Sequence, residues 1–506
     1  MRIDSILTIV RRTVFIASLC LLTILPTFAI AQTATSKGNA AKEKNVLLIA
    51  IDDLNDWVGC LGGHPQSLTP NIDKLAKRGV LFSNAHCQGP ICGPSRCSLL
   101  SGKYPHSTGV YQQPSGDLLE KDRLHFRGQL LPEFFAKHGY ETLASGKITH
   151  GYAGKIAFQD YAGKQGGFGP KPKERFQYFL PDVPFTGTQT DWGAFPEQDS
   201  QMPDFKTASW CIDKLSEPRT KPFFLAAGFY RPHVPFYVPA KWFQEFPLDT
   251  IRLPKYRLDD LDDVPQIGID IHEMPKYPSW EFLLPIEEEQ FRRAVQAYLA
   301  CIRFVDHQVG RVVDALDASP HRDDTVIVLF SDHGYHLGEK NRISKHSLWE
   351  EATKVPLIVV DGQHRGRQSN APVGLIDIYP TLLELCDLPA RAENEGTSLV
   401  PLMNNTDAKI RDGILTTYAR GNHSVRGERF RLIRYGDGSQ ELYDHKTDPQ
   451  EWNNLASKIT TTPELQTVVT KLAKSLPKEE SEYHPSTQSG PVNAWFQEHL
   501  SKNGIE

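Results

Sequence analysis

Val46-Leu47-Leu48-Ile49-Ala50-Ile51-Asp52-Asp53 is an unbroken apolar run that ends in two carboxylates. A second apolar run, Thr325 to Phe330, ends in Ser331-Asp332-His333-Gly334. Continuous apolar runs of this length are typical of strands that are buried on both faces of a parallel sheet. Helical patterns such as Leu131 to His138 and Glu289 to Ala315 lie between the two runs. Strands that alternate with helices predict an α/β architecture.

Two shorter apolar runs, Phe223 to Ala227 and Val355 to Val360, extend the predicted sheet. In open sheets of this kind, ligands bind beyond the carboxyl ends of the strands. The acidic residues Asp52, Asp53 and Asp332 follow directly on the two long runs, so they fall at that edge. The sequence therefore predicts a functional site at the carboxyl edge of the sheet.

Two irregular segments interrupt the alternation of strands and helices. Residues from Gly151 to about Asp204, and from Pro239 to Pro285, are rich in glycine, proline and aromatic residues and show little periodicity. Long irregular segments in a compact enzyme form binding walls or lids, and surface decoration is the alternative.

The pattern changes again after about Asp407. Ser424 to Arg426, Phe430 to Tyr435 and Glu441 to Tyr443 read as short antiparallel strands that are separated by glycine-containing turns. A helix is expected near Pro463 to Leu476. We therefore expect a large domain at residues 45–406 and a smaller α+β subdomain at residues 407–506.

The N-terminal residues have a different character. Arginines precede an apolar run from Thr13 to Ala31, which ends in Ala29-Ile30-Ala31. This pattern predicts a signal peptide at residues 1–31, followed by a linker at residues 32–44, and hence a periplasmic or secreted protein. An uncleaved membrane anchor is the alternative, because the run approaches the length that spans a bilayer. No later apolar stretch is that long, so the mature chain is expected outside the membrane.

Composition narrows the class of protein further. The chain of 506 residues has a formal net charge of -5, which argues against a nucleic-acid partner but not against an anionic substrate in a cleft with focused cations. Eight cysteines are present, of which Cys20 would leave with the signal peptide. Their spacings match no zinc pattern, and the sequence leaves open whether they are buried thiols or disulfides.

One short motif carries most of the functional information. Cys92-Gly93-Pro94-Ser95-Arg96 begins a stretch that continues as Cys97-Ser98-Leu99-Leu100-Ser101-Gly102. This stretch resembles the C-x-P-S-R-x-x-x-L-[ST]-G signature of the formylglycine-dependent (type I) sulfatases. The resemblance covers about residues 45–455 and is closest to the iduronate-2-sulfatase branch. It implies an alkaline phosphatase-like fold, a mixed and mostly parallel sheet between helices, with a smaller C-terminal subdomain that contains a short antiparallel sheet.

The resemblance implies that a maturation enzyme converts Cys92 into formylglycine. An unmodified thiol would form a stable S-sulfonate, whereas the aldehyde hydrate offers one hydroxyl to attack sulfur and a second to expel sulfate. The modifying enzyme would read Pro94 and Arg96 in the extended chain, and Arg96 would later hold the hydrate in place.

A metal site is expected at the predicted sheet edge. Asp52, Asp53 and Asp332 form a carboxylate cluster that needs a cation, and hard oxygen ligands suit Ca²⁺ or Mg²⁺. By resemblance the site holds one Ca²⁺, also bound by the residue at Cys92 and by His333, although imidazole is a softer ligand than calcium usually takes. For Asp52 and Asp53 alone, capping of a following helix is the alternative.

Four further residues are assigned catalytic roles by the resemblance. Lys147 and Lys345 would hold the sulfate, His150 would act as a base on the formylglycine hydroxyl, and His233 would protonate the leaving oxygen. Taken singly, each would more often be an exposed cation or a structural histidine. Some residues are weaker candidates for substrate contact: Tyr335, His336, Glu339 and Trp349 near the metal-binding loop, and Arg420 and His423 in the C-terminal part.

Together these features predict hydrolysis of a sulfate ester, on a sulfated sugar or polysaccharide fragment. One alternative is hydrolysis of phosphonate or phosphate esters, because the same scaffold hosts both chemistries. The other is a non-catalytic protein that binds sulfated glycans. The irregular segments do not clearly match those of the animal lysosomal enzyme, so the sequence leaves the sugar and the sulfate position open.

Overall fold

The computed structural model describes residues 43–114, 130–150, 157–176, 190–273 and 288–487. The predicted signal peptide and nearly all of the predicted linker lie outside these residues. All described residues belong to one unit that begins at Glu43, and the boundary between residues 406 and 407 stays a prediction. Within the described ranges, no helix is both long and apolar enough to cross a membrane.

The strands and helices are numbered along the chain. The strands are β1 Asn45–Asp52, β2 Val80–Phe82, β3 Ala85–His86, β4 Glu141–Gly146, β5 Asp160–Tyr161, β6 Trp192–Ala194, β7 Phe223–Pro232, β8 Phe236–Val238, β9 Thr325–Ser331, β10 His336–Leu337, β11 Ile343–Ser344, β12 Leu357–Val360, β13 Arg367–Ser369, β14 Val373–Gly374, β15 Ile414–Thr417, β16 His423–Arg426, β17 Phe430–Arg434 and β18 Gln440–Asp444. The α-helices are α1 Pro70–Arg78, α2 Cys92–Ser101, α3 Pro105–Thr108, α4 Leu131–Lys137, α5 Pro203–Ser216, α6 Ala240–Phe243, α7 Gln266–Glu273, α8 Glu288–Ala318, α9 Glu350–Thr353, α10 Ile378–Leu385, α11 Val400–Asn404 and α12 Pro463–Leu472.

The main sheet has eight strands in the order β13-β2-β12-β9-β1-β7-β4-β5. Strand β12 runs antiparallel to both of its neighbours, and all other pairs are parallel. At the centre of the sheet, Leu47 of β1 pairs with Leu225 of β7 on one side and Ile327 of β9 on the other. The predicted mixed, mostly parallel sheet is confirmed.

The central strand β1 shows why the sheet has helices on both faces. Every residue of β1 is buried, because successive side chains of a strand point to opposite faces and both faces are covered. Leu47 and Ile49 belong to one core with α5 and α8, whereas Val46 and Leu48 belong to a second core with α2, α4 and α10. The predicted helical layers on both sides of the sheet are thus confirmed.

The C-terminal sheet is antiparallel, with the order β15-β16-β17-β18. Three of its strands match the predicted runs to within one or two residues, and the prediction missed β15, which contains only two strongly apolar residues. Helix α12 packs on this sheet through Leu465 and Leu472 and ends at Leu472, before the predicted end at Leu476, because a 3₁₀ turn follows at Ala473–Ser475.

The cysteines of the described residues are all free thiols. Six of them are buried and Cys60 is partly exposed. Of the two possibilities that the sequence left open, the structure shows thiols.

Candidate active site

The site forms where four adjacent parallel strands end. Strands β9, β1, β7 and β4 are neighbours in the sheet, so their carboxyl ends lie at one edge. Asp52 and Asp53 follow from β1, Asp332 from β9, His233 from β7 and Lys147 from β4. Residues that are far apart in sequence therefore meet at the edge that the sequence predicted.

The last residue of β4 requires glycine. Gly146 has a φ of +81°, and a Cβ atom there would lie 1.9 Å from the carbonyl oxygen of Gly228 in the neighbouring strand. This close approach lets β4 end directly beside β7. Lys147, the next residue, donates its backbone N–H to the same Gly228 oxygen over 2.9 Å and turns its side chain into the site.

Cys92 lies at the first turn of α2 and is 1% exposed. Its sulfur lies 3.4 Å from Lys147 Nζ, 3.5 Å from Lys345 Nζ and 3.2 Å from His333 Nε2. His150 also forms a hydrogen bond with this sulfur. The structure thus brings Cys92 together with four of the residues that the sequence singled out.

Electrostatics favour an anion at this position. Burial raises the pKa of the Cys92 thiol, but Lys147, Lys345 and His333 outweigh burial and hold the pKa well below its ordinary value. The positive end of the α2 dipole points at the same position. The pocket around the sulfur is therefore built to stabilise negative charge.

Asp52 is fully buried and accepts hydrogen bonds from two cations. Its Oδ1 is 3.3 Å from an Arg96 guanidinium nitrogen, and its Oδ2 accepts a hydrogen bond from Lys147 Nζ. Burial and the Cys92 sulfur raise the pKa of Asp52, but the nearby cations lower it further, to below the ordinary range. Asp52 is thus a buried carboxylate.

Asp53 has one oxygen paired and one open. Its Oδ1 accepts a hydrogen bond from Lys345 Nζ over 2.6 Å and lies 3.3 Å from His333 Nε2. Its Oδ2 is buried without a hydrogen-bond partner and lies 3.8 Å from His233 Nε2. A buried carboxylate oxygen without a partner is costly, so this oxygen is suited to a metal ion.

Arg96 connects the two acidic strand ends. Its Nε donates to Asp332 Oδ2 over 2.7 Å, and its other nitrogens donate to Asp52 and to the carbonyls of Lys147 and Ile148. Arg96 is 2% exposed. This residue of the motif therefore compensates two buried carboxylates and fixes the backbone that carries Lys147.

Four predicted metal ligands form a compact group: Asp52, Asp53, Cys92 and His333. Their ligand atoms all lie within 4.8 Å of one another. Asp332, the fifth predicted ligand, lies outside this group; its Oδ2 accepts a hydrogen bond from Arg96, and its Oδ1 accepts the backbone N–H groups of Asp53 and His333.

The donor chemistry of this group fits a metal ion. The Nδ1 of His333 donates to the Gly334 carbonyl over 2.9 Å, so Nε2 faces the group and can bind a metal ion once it has lost its proton. Burial lowers the pKa of His333, but Asp332, Cys92 and Asp53 outweigh burial and raise it to about 9. The negative charge of the surrounding carboxylates and of the Cys92 sulfur is therefore larger than His333 alone can balance. A divalent cation would neutralise the remainder.

The two remaining predicted histidines, His233 and His150, also face the site. The Nδ1 of His233 donates to the Val234 carbonyl over 2.7 Å, so its Nε2 faces the site and Asp53. Burial lowers the pKa of His150, and its hydrogen bond to Cys92 only partly opposes this. His150 is therefore a neutral proton acceptor near pH 7.

A cavity of about 580 Å³ opens beside the catalytic side chains. Lys147 and His150 line it together with Tyr230 and with Phe168 from the first irregular segment. The Phe168 ring lies 4.7 Å from the His233 ring, centroid to centroid. The prediction that this segment forms a binding wall is consistent with the cavity, but sequence reasoning did not identify Phe168 or Tyr230.

The weaker candidates near the metal-binding loop are packed into the interior. Tyr335 stacks on Tyr298, Trp349 donates to Glu441, and His336 hydrogen-bonds Ser347. In the C-terminal part, Arg420 pairs with Glu482, and His423 with Glu480. None of these residues lines the cavity beside Cys92.

A second group of candidate ligands links α9 to the segment that follows β18: Glu350, His445 and Glu451. Arg431 already pairs with Glu350 and with Glu451, at 2.6 Å for the latter, and Arg426 pairs with Glu350 at 3.1 Å. These arginines supply the positive charge that a metal would bring, so the group is a structural ion-pair network.

Comparisons with known proteins agree with this geometry. The chain matches the Sulfatase family over residues 44–388 and the C-terminal family of N-sulphoglucosamine sulphohydrolase over residues 338–482. A sulfatase of Formosa agariphila is 44% identical over 422 residues, which cover 82% of this chain and 83% of that protein. Iduronate 2-sulfatase of Mus musculus is 30% identical over 72% of this chain and 73% of the relative. A solved 2-O GAG sulfatase aligns with a TM-score of 0.63 and 25% identity over 89% of this chain and 99% of its own.

These matches include the Cys92 motif and all four strand ends that build the site. They confirm the resemblance to sulfatases and, with it, the alkaline phosphatase-like fold. The chain belongs to the sulfatase family and is a sulfuric ester hydrolase.

Proposed function

We propose that the protein hydrolyses the sulfate ester of a sulfated sugar after Cys92 has been converted to formylglycine. The observation that carries the proposal is the position of Cys92. Lys147, Lys345 and His333 all lie within 3.5 Å of its sulfur, at the start of a buried helix. A sugar substrate is supported by the names of two relatives, an iduronate 2-sulfatase and a 2-O GAG sulfatase.

The modified residue supplies the nucleophile. Its hydrated aldehyde would provide a hydroxyl that attacks sulfur and a second that releases the sulfate by carbon–oxygen cleavage. Arg96 positions this residue indirectly, because it fixes Asp52, Asp332 and the backbone of Lys147 around it. His150 accepts a proton from the hydroxyl at this position, as its lowered pKa and its contact with Cys92 allow.

Lys147 and Lys345 bind the sulfate oxygens. Both ammonium groups lie within 3.5 Å of the Cys92 sulfur, and both are nearly completely buried. Charge that develops on the sulfate in the transition state is worth more in such a low-dielectric pocket than in water. His233 donates a proton from Nε2 to the leaving oxygen when its ring carries both protons, because the Nδ1 proton stays hydrogen-bonded to the Val234 carbonyl.

We also propose that Asp52, Asp53, His333 and the residue at position 92 hold one Ca²⁺, with Asp332 as the fifth ligand. Carboxylate oxygens are its preferred ligands, and the open Oδ2 of Asp53 supports the assignment. Bound there, the ion would neutralise the carboxylates and polarise a sulfate oxygen. Lys147 and Lys345, which pair with Asp52 and Asp53, would then be available to the substrate.

The proposal includes two statements about the setting of the enzyme. A sulfatase-maturating enzyme is its partner before activity, and residues 1–31 direct the chain to the periplasm or outside the cell. The mature enzyme then meets sulfated polysaccharide fragments without a membrane or a nucleic acid as partner.

Mass spectrometry of the peptide that contains Cys92, followed by turnover assays, tests this proposal. We expect the mass of an aldehyde at position 92 and release of sulfate from an aryl sulfate and from sulfated oligosaccharides. The Cys92→Ala variant should keep its fold by circular dichroism and lose all turnover. Fully converted, calcium-loaded protein that cleaves no sulfate ester would refute the proposal. Preference for an aryl phosphate or phosphonate would favour the alternative chemistry, and binding of sulfated glycans without turnover would favour a non-catalytic protein.

A further inference from the structure

One wall of the cavity is a glycine-rich loop, Gly163 to Lys171, that no part of the proposed chemistry uses. Four of its glycines have positive φ values: Gly163, Gly166, Gly167 and Gly169. Lys164, Phe168 and Lys171 from this loop line the same cavity as Lys147 and His150. The loop therefore places two additional ammonium groups beside the sulfate-binding residues.

The loop is fixed to the site at its N-terminal end. The backbone N–H of Gly146, the residue before Lys147, donates to the carbonyl of Gly163 over 2.9 Å. Gln165 donates to the hydroxyl of Ser145 over 3.3 Å. The position of Lys164 is thus set by the strand that also positions Lys147.

Arg231 fixes the other end of the loop. It is completely buried, and its guanidinium donates to the carbonyls of Phe168, His233 and Tyr237 over 2.8, 2.9 and 2.9 Å. Phe168 in turn packs on His233, and Lys147 Nζ lies 5.4 Å from the centroid of its ring. The loop, the sulfate-binding lysine and the proton donor therefore form one connected structure.

Basic side chains, and no acidic ones, line the described part of the cavity. Its lining contains Lys147, His150, Lys164 and Lys171, and within the described residues no carboxylate lines it. Lys164 is exposed, and in the described part of the chain no side chain or backbone group pairs with its ammonium. An exposed cation in a concave site is suited to an anion that arrives with the substrate.

We propose that Lys164 forms a subsite for a second anionic group of the substrate, apart from the sulfate that is cleaved. This inference rests on the proposed function of the site. A cavity of about 580 Å³ is within the range of small-molecule sites and has room for sugar rings that extend from the sulfate-binding residues towards the loop. The second anion is a sugar carboxylate or a second sulfate ester, which share the same ionic chemistry.

The test compares three kinds of substrate on the converted, calcium-loaded enzyme. They are a singly charged aryl sulfate, a monosulfated sugar with a carboxylate, and a disulfated sugar without one. In the Lys164→Ala variant, kcat/KM for at least one doubly charged substrate should fall about fivefold relative to kcat/KM for the aryl sulfate, the effect of one partly exposed ion pair. The loss should lie in KM, shrink at high ionic strength, and be restored by Lys164→Arg.

Lys173→Ala is the matched control, because Lys173 follows the same loop but does not line the cavity. It should leave the ratio between substrates unchanged. The substrate whose ratio falls in Lys164→Ala identifies the anion as a carboxylate or a sulfate. Equal effects of Lys164→Ala on all three substrates, or equal effects of the two alanine variants, would overturn the inference while leaving sulfatase activity intact. If the unaltered enzyme cleaves none of the three, the proposed function itself has failed.

Discussion

Arg96→Ala should destabilise the protein far more than removal of an exposed arginine. In the native structure the Arg96 side chain is 2% exposed, and its partners Asp52 and Asp332 are 0% exposed. Alanine would leave both carboxylates buried without their shared cation and would remove a donor from the carbonyls of Lys147 and Ile148. The variant therefore tests whether this residue of the motif is a structural cation as well as part of the site.

The size of the effect follows from burial. Removal of one partner from a buried ion pair costs about 3 to 5 kcal/mol, and protonation of the stranded carboxylate limits the cost to that range. For Arg96→Ala we take a loss of about 4 kcal/mol in the free energy of unfolding. A unit the size of Glu43–Glu506 has an unfolding entropy of about 1 kcal/mol/K near its midpoint. The Tm should accordingly fall by about 4 °C.

Thermal unfolding in calcium-containing buffer at constant pH measures this shift. The matched control is Arg293→Ala, which removes the same side chain from an exposed pair with Glu289, where the two side chains are 43% and 62% exposed. Such a pair is worth about 0.5 kcal/mol, so the control should shift the Tm by less than 1 °C or so. If both variants shift the Tm equally, Arg96 does not compensate the buried carboxylates and the reasoning is wrong.

Three further predictions follow from the same site. Lys345→Ala should lower kcat/KM on any sulfate ester by about 100-fold or more with the fold intact, because one buried cation is lost from the developing charge; a loss below tenfold in steady-state assays would contradict the role of Lys345. Gly146→Ala should lower the free energy of unfolding by about 2 kcal/mol or more and also reduce activity, because φ is +81° and the new Cβ would meet the Gly228 oxygen; unchanged urea unfolding would show that the close approach is not required. Chelation of calcium should lower both the activity and the Tm, and the Tm should fall by about 3 °C if calcium was present at 100 times its Kd. Asp53→Asn should abolish this effect of chelation on the Tm. If chelation lowers the Tm of the variant by the same amount, Asp53 is not part of the metal site.

The parts of the fold that the sequence predicted best are those with a local signal. Strands β1 and β9 are continuous apolar runs that end in acidic residues, and they lie at the centre of the sheet as expected. Strand β4, Glu141–Gly146, and strand β15, Ile414–Thr417, have no such run, so their positions depend on pairing with distant strands. Periodicity cannot report a pairing of that kind.

The same distinction applies to the site. The Cys92 motif and the acidic strand ends carry a signal in the sequence, and the structure brings these residues together. The contact of Phe168 with His233 and its anchor at Arg231 join segments more than 60 residues apart along the chain. Neither the composition of the Gly163 to Lys171 loop nor the spacing of its residues indicates which residues its backbone contacts. Sequence reasoning therefore located the wall but not the contacts that hold it.

The burial of α2 imposes an order of events on the life of the protein. All ten residues of Cys92–Ser101 are buried once the chain has folded, and Arg96 is bound to two strand ends. A second protein that must handle this stretch in extended form has to reach it before the sheet closes over it. If Cys92 is converted as proposed, conversion competes with folding, and a molecule that folds first would become a stable precursor. Under that proposal, the amount of active enzyme in a cell would depend on how fast the maturation partner works relative to folding, as much as on how much chain is made.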